Sequence, residues 1–287
     1  MRNVDENTIT SGVVELIART PDPRLREIMS ALIQHLHGFA REVQLSEQEW
    51  FQGIRFLTDV GNFTDERRQE FILLSDTLGL SMLVVAQNNR KPRGCTEATV
   101  FGPFYAENAP QFPLGADVAR GAQGEPCYVR ATIKGHAGEA VPGARVEVWQ
   151  ADASGLYDMQ YETGEHRARG VLRADESGRV HFKSVLPEAY QIPTDGPVGH
   201  MLEATGRHAW RPAHMHFMVD APGYERLITH VFRDGDRYLD SDAVFGVRSS
   251  LIAKWERHRP GRTPDGTQSD VPFHTLKFDF VLNRGTA

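Results

Sequence analysis

Two histidines one residue apart, His214 and His216, are the first residues here whose spacing suggests chemistry. They lie in Trp210-Arg211-Pro212-Ala213-His214-Met215-His216-Phe217-Met218-Val219, an apolar run that reads as a strand. Residues two apart on a strand project from one face, so both imidazoles can reach a single metal ion. His35 and His37 have the same spacing in a helical pattern, where the rings diverge. With 12 histidines in the chain, a His-x-His pair does not by itself establish a site. The chain has no close Cys pair and no zincin-type His-Glu motif, so zinc is not favoured. Upstream, Tyr157 follows Asp152-Ala153-Ser154-Gly155-Leu156, and Tyr190 lies in Leu186-Pro187-Glu188-Ala189-Tyr190-Gln191-Ile192-Pro193. A phenolate is a hard anionic ligand that favours a hard trivalent ion such as Fe(III). On pattern alone, both also read as half-buried structural tyrosines.

The elements that must position these residues fall into two halves. Leu25, Ile28, Met29, Leu32, Ile33, Leu36, Phe39, Ala40 and Val43 recur at three- and four-residue spacing, predicting an amphipathic helix from about Pro23. Ser46-Glu47-Gln48-Glu49 has the form of a capping box and predicts a second helix carrying Trp50, Ile54 and Leu57 to about Gly61. Thr64-Asp65 predicts the start of a third, through Phe71, Leu74, Leu78 and Met82. Beyond Lys91-Pro92-Arg93-Gly94 the pattern changes to short strand-like runs such as Tyr128–Ile133, Arg145–Gln150 and His274–Phe280, separated by turn signals. Helices followed by strands, without alternation, predict an α+β chain whose second part is an antiparallel β-sandwich or barrel, with the sandwich taken as the expectation. The expected division is a helical domain over residues 1–100 and the sandwich over 101–287.

Composition narrows the function. Apolar residues make up 40 % and charged residues 24 %, with a net charge of −6, which disfavours a general nucleic-acid binder. One basic pair, Arg67-Arg68, sits among Asp65, Glu66 and Glu70. Cys95 and Cys127 are too few for a disulfide framework, and no run is apolar enough for a membrane span. A cytoplasmic, unanchored protein is expected.

The segments around these residues resemble the intradiol ring-cleavage dioxygenases, whose iron is held by Tyr, Tyr, His and His in that chain order. The likeness covers most of the chain, and its blocks are Gly143–Asp152, Ile192–Gly199 and Arg211–His216. Tyr157 and Tyr190 are 33 residues apart, and His214 follows Tyr190 by 24. The resemblance implies Fe(III) held by Tyr157, Tyr190, His214 and His216. It also implies that Tyr190 yields to the incoming substrate and that Arg211 stabilises negative charge on the ring. Carried over by position, Leu73, Asp76, Val100, Phe101, Gly102, Pro103, Phe104, Ile192, Pro193, Arg211 and Val244 line the substrate pocket. Phe71–Gly79, Thr99–Tyr105, Leu227–Phe232 and Tyr238–Gly246 resemble the branch acting on hydroxyquinol, and His230 stands where catechol-cleaving relatives usually carry Gln. The expected reaction, in aromatic catabolism, is cleavage of hydroxyquinol by O2 to 3-hydroxy-cis,cis-muconate and maleylacetate. Catechol or a chlorocatechol, cleaved to the corresponding cis,cis-muconate, is the alternative substrate. As in relatives, the N-terminal helices are expected to form a homodimer that encloses a phospholipid.

Overall fold

The computed structural model describes residues 2–66, 68–162 and 164–285, so Arg67 of the basic pair lies outside the described residues. By internal contacts the chain divides into two compact units, residues 1–59 and 60–287. In the first, α1 (Ile9–Ile17) packs on α2 (Pro23–Glu42). Asp22 starts α2 by accepting from the amides of Arg24 and Leu25, with Pro23 in the first turn. His37 Nδ1 pairs with Thr10 Oγ1 at 3.0 Å. The expected capping box opens α3 (Glu47–Asn62): Ser46 Oγ accepts from the Glu49 amide at 3.3 Å, and the Glu49 carboxylate from the Ser46 amide at 2.9 Å.

The second unit keeps two shorter helices where one longer helix from Thr64 was expected. The Asp65 carboxylate instead accepts from the Arg68 amide at 2.7 Å, turning the chain so that α4 begins only at Glu70 (Glu70–Thr77). Gly79, at φ 75°, then breaks the run, and α5 (Leu80–Asn88) leaves at a bend of 77°. A sixth helix, α6 (Pro197–Ala204), packs on α4; there the buried Glu70 carboxylate accepts from the Val198 amide at 3.1 Å. No single helix among the described residues is long and apolar enough to cross a membrane.

The strands are β1 (Pro126–Gly135), β2 (Arg145–Gln150), β3 (Arg169–Arg173), β4 (Arg179–Val185), β5 (Tyr190–Gln191), β6 (Trp210–Arg211) and β7 (His214–Asp220). They continue with β8 (Leu227–Arg233), β9 (Ile252–Ala253), β10 (Trp255–His258), β11 (Gly261–Arg262), β12 (Gln268–Ser269) and β13 (Phe273–Leu282). One sheet runs β10-β13-β1-β4 and the other β3-β2-β7-β8-β9. They share one apolar core: Val129, Ile133, Phe182 and Phe280 from the first sheet, with Val146, Val148, Phe217 and Val231 from the second. The rings of Phe217 and Phe280 meet at 4.8 Å. The ladders are antiparallel except β1 with β13 and β8 with β9, which are parallel.

Gly79 is the hinge that lets α4 and α5 diverge. A Cβ there would make an ordinary van der Waals contact with Phe245 Cδ2 at 3.5 Å and no clash, so the cost of a side chain is conformational. Gly79→Ala should destabilise by about 1–2 kcal/mol, lowering the melting temperature by roughly 2–8 °C. A wild-type melting curve would contradict the left-handed turn.

Candidate active site

Strand alternation builds the site on the face of the five-stranded sheet that looks away from the core. Along β7, Met215, Phe217 and Val219 enter the core, so His214 and His216 project from the opposite face. The same alternation sends Trp149 of β2 and His230 of β8 outward, because Val146, Val148, Leu227 and Val231 take the core positions. The register aligns Trp149 with His216, and His216 with His230. His216 is thus packed between neighbours: the Trp149 indole stacks on it at 4.7 Å, and the His230 ring meets it near-perpendicular at 4.0 Å.

The tyrosines arrive from outside this sheet. Tyr190 sits on β5, paired with Arg211 of β6. Tyr157 sits in the loop after β2, shaped by the Asp152 carboxylate, which accepts from the Ser154 amide and from Tyr161 Oη. Gly155, at φ 75°, lets this loop approach β5: a Cβ there would fall 2.9 Å from Tyr190 Cβ. Four buried donors converge as a result. Tyr157 Oη lies 2.9 Å from His216 Nε2, 3.5 Å from His214 Nε2 and 3.4 Å from Tyr190 Oη, and the two Nε2 atoms are 3.1 Å apart.

Arg211 fixes the tautomer of His214. A guanidinium can only donate, so Arg211 Nη1, 3.3 Å from His214 Nε2, makes that nitrogen the acceptor. The His214 proton is then on Nδ1, which donates to the Pro212 carbonyl at 2.7 Å. The Nε2 lone pair is left facing the cluster, the orientation a metal ligand needs.

A "Dioxygenase" family model matches residues 100–284, and "Catechol dioxygenase N terminus" matches residues 22–96. The chain is 58 % identical to a 6-chlorohydroxyquinol 1,2-dioxygenase of Cupriavidus pinatubonensis, covering 99 % of each chain. It is 50 % identical to a hydroxyquinol 1,2-dioxygenase of Nocardioides simplex, over 96 % of this chain and 95 % of that one. The crystal structure of hydroxyquinol 1,2-dioxygenase from Pseudomonas putida DLL-E4 superposes with a TM-score of 0.89 at 46 % identity, covering 98 % of this chain and 99 % of that one. The chain belongs to the intradiol ring-cleavage dioxygenase family. A more distant relative, catechol 1,2-dioxygenase of Candida albicans, is 34 % identical over 86 % of this chain and 84 % of its own.

In this dioxygenase the residues expected around the substrate fall into three groups. Leu73, Pro103, Phe104, Ile192 and Pro193 line a cleft of about 590 Å³. Its Phe104 stacks on Tyr157 at 4.5 Å and meets Tyr190 edge-on at 6.5 Å, joining cleft to donors. Asp76, Arg211 and Val244 are linked through Arg211 and Asp242: Asp76 is buried within the field of Arg211, and the Val244 amide donates to Asp242, which pairs with Arg211. Val100 is buried, and a Cβ on Gly102 would come within 3.3 Å of His216 Cε1. Phe101 packs on Tyr105 and Trp149, and among the described residues no ring contact joins it to the four donors. Three charged residues were missed: Asp242, which holds Arg211 through Nε at 3.0 Å, and the pair Arg169–Asp158 beside Tyr157. The available signals were an acid inside the Tyr238–Gly246 block, a cation at the head of an apolar strand-like run, and an acid directly following the first tyrosine.

Burial governs the protonation of this cluster. It pushes the Tyr157 phenol well above its ordinary value of 10.0, reinforced by Tyr190. It lowers His214 to about 3, with Arg211 adding to the effect, and drives His216 and His230 well below 6.5. Burial would raise the Asp242 carboxyl and lower the Arg211 guanidinium, but each outweighs that cost for the other and both stay charged. In Asp76 burial wins and the carboxyl is raised, although Ser81 and Arg211 pull against it.

The three histidines are neutral when folded and ordinary when unfolded, so below pH 6.5 the unfolded chain takes up protons that the folded chain refuses, for His214 down to about pH 3. Metal-free protein should therefore lose stability progressively as pH falls below about 6.5. Urea titrations at pH 7.5 and 5 would read this directly, and equal stabilities would contradict neutral, buried imidazoles.

Proposed function

We propose that this chain cleaves hydroxyquinol between its adjacent hydroxylated carbons, using O2 and a ferric ion held by Tyr157, Tyr190, His214 and His216. The convergence of two phenol oxygens and two imidazole nitrogens within 2.9–3.5 Å carries this reading. The donor chemistry fits the ion: hard phenolates suit a trivalent cation, and a nearby cation reverses the burial effect that otherwise keeps Tyr157 protonated. Bound iron would supply the means for a closed-shell aromatic to share spin and charge with triplet oxygen.

The protein's own groups have separable tasks. Tyr157 is clamped by the Phe104 stack and stays in place. Tyr190 lies 3.5 Å from Arg211 Nη1, so its oxygen can yield to the diol, take up one of its protons and remain solvated by the guanidinium. Arg211, held by Asp242, then faces the negative charge that develops on the ring. Asp76, an acid in an otherwise apolar helix, is the group suited to a third ring hydroxyl. The greater identity to relatives named for hydroxyquinol than to the catechol enzyme supports this substrate over catechol.

A second copy of the chain is the proposed partner. Along α2, Leu25, Ile28, Leu32, Leu36 and Phe39, with Val43 just past its end, are 47–54 % exposed, and no α2 residue is buried. So wide an apolar stripe suits a homodimer, either chain on chain or around a phospholipid. The two free thiols suit a reducing cytoplasm.

Iron-loaded protein should be coloured by tyrosinate-to-iron charge transfer and consume one O2 per hydroxyquinol, with kcat/KM higher than on catechol. Colourless iron-loaded protein would refute the ligand set, and a catechol preference would select the alternative substrate. His214→Ala should lose both iron and activity. Asp76→Ala should cost about 10- to 100-fold in kcat/KM on hydroxyquinol and less on catechol. Light scattering should give twice the chain mass, and native mass spectrometry before and after delipidation distinguishes the two kinds of interface. A monomer at micromolar concentration would reject the dimer.

A further inference from the structure

Arg169 is fully buried and belongs to none of the ligand or pocket positions above. It occupies β3 opposite Trp149, so Arg169, Trp149, His216 and His230 form one continuous row across four strands. Its guanidinium makes three bonds in two directions. Nε and Nη2 grip the Asp158 carboxylate at 2.8 and 2.6 Å, and Nη2 also donates to the Phe104 carbonyl at 2.7 Å. Asp158 directly follows Tyr157 and accepts further from the Met159 amide and from His166 Nδ1 at 3.3 Å. Phe104 ends the segment that covers His216 and stacks on Tyr157. The other end of that segment is held by the Thr99 amide on the Ile228 carbonyl and by Thr99 Oγ1 on the Gly246 carbonyl.

We infer that Arg169 is a positioning residue: one buried guanidinium locks the Tyr157 arm and the Phe104 wall of the cleft to the same strand. This inference rests on the proposed role of Tyr157 as an iron ligand. The fork is needed for it. A lysine ammonium at this depth could satisfy Asp158 or the Phe104 carbonyl, but it lacks the planar donor spread that serves both. Loosening Arg169 should therefore disturb the phenolate and the substrate wall together. A purely structural ion pair would affect stability alone.

The test uses Arg169→Gln/Asp158→Asn, which removes both charges and strands neither, with Arg169→Lys as a second variant that keeps the charge and loses the fork. In iron-loaded protein the charge-transfer maximum should move and kcat/KM on hydroxyquinol should fall about 10- to 100-fold, mostly through KM. In metal-free protein, hydrogen exchange should rise together over residues 100–105 and 156–161 while β1 and β13 stay protected. A variant with unchanged exchange in both segments overturns the inference whether or not iron binds. An unchanged band and KM in either folded variant overturns it too. Colourless wild-type protein alone would instead strike the ligand assignment, leaving the exchange result to decide on Arg169.

Discussion

Everything at the site depends on polar side chains being held dry on the outer face of a sheet whose inner face is the hydrophobic core. Burying an unpaired polar group is costly, and burial here drives Tyr157 toward its protonated form and His214, His216 and His230 toward neutral imidazole. Such a cluster is short of one species, a compact positive charge that can accept several lone pairs at once. The nearest permanent cation, Arg211, cannot fill that role, because two of its nitrogens are committed to Asp242. It can only donate, toward His214 Nε2 and Tyr190 Oη, and cannot itself accept a lone pair.

The sandwich makes this arrangement affordable. Phe217 and Phe280 and their neighbours bury the inner face of β7, so the outer face is free to carry function without weakening the core. Trp149 has a similar position on β2. Its bulk covers His216, and the contact helps to keep water from the imidazole. The first unit has the opposite character: α2 carries an apolar stripe and no buried residue, so its stability on its own is limited by what it leaves uncovered.

What could be read from the sequence follows the range of the interactions. The period of two along β7 is local, so the common projection of His214 and His216 was legible without any fold. The capping box at Ser46 and the helix start near Pro23 were legible for the same reason. The meeting of Tyr157 with the histidines was not, because it depends on a loop shaped by Asp152 and on the close approach at Gly155; only the family resemblance supplied it. Arg211 and Asp242 are 31 residues apart, and no periodicity links an arginine to its carboxylate over that distance. The helix expected from Thr64 failed on two local details, the Asp65 side chain competing for the Arg68 amide and the left-handed Gly79. The parallel pairing of β1 with β13 joins strands more than a hundred residues apart and leaves no mark on either one's alternation.

The two buried arginine–aspartate pairs invite the same physical question, since a buried ion pair seldom adds net stability over well-packed apolar residues. Their value has to lie in geometry. In each, the aspartate occupies the guanidinium along one direction and leaves a donor pointing in another: toward Tyr190 and His214 from Arg211, toward the Phe104 carbonyl from Arg169. The aspartate fixes the plane, and the plane aims the remaining donor. Apolar substitutes could match the packing but would leave the Phe104 carbonyl unpaired and remove the donor aimed at Tyr190 and His214. Desolvating two charges twice over is therefore consistent with a site whose demand is for fixed directions, and which draws its stability from the opposite face of the sheet.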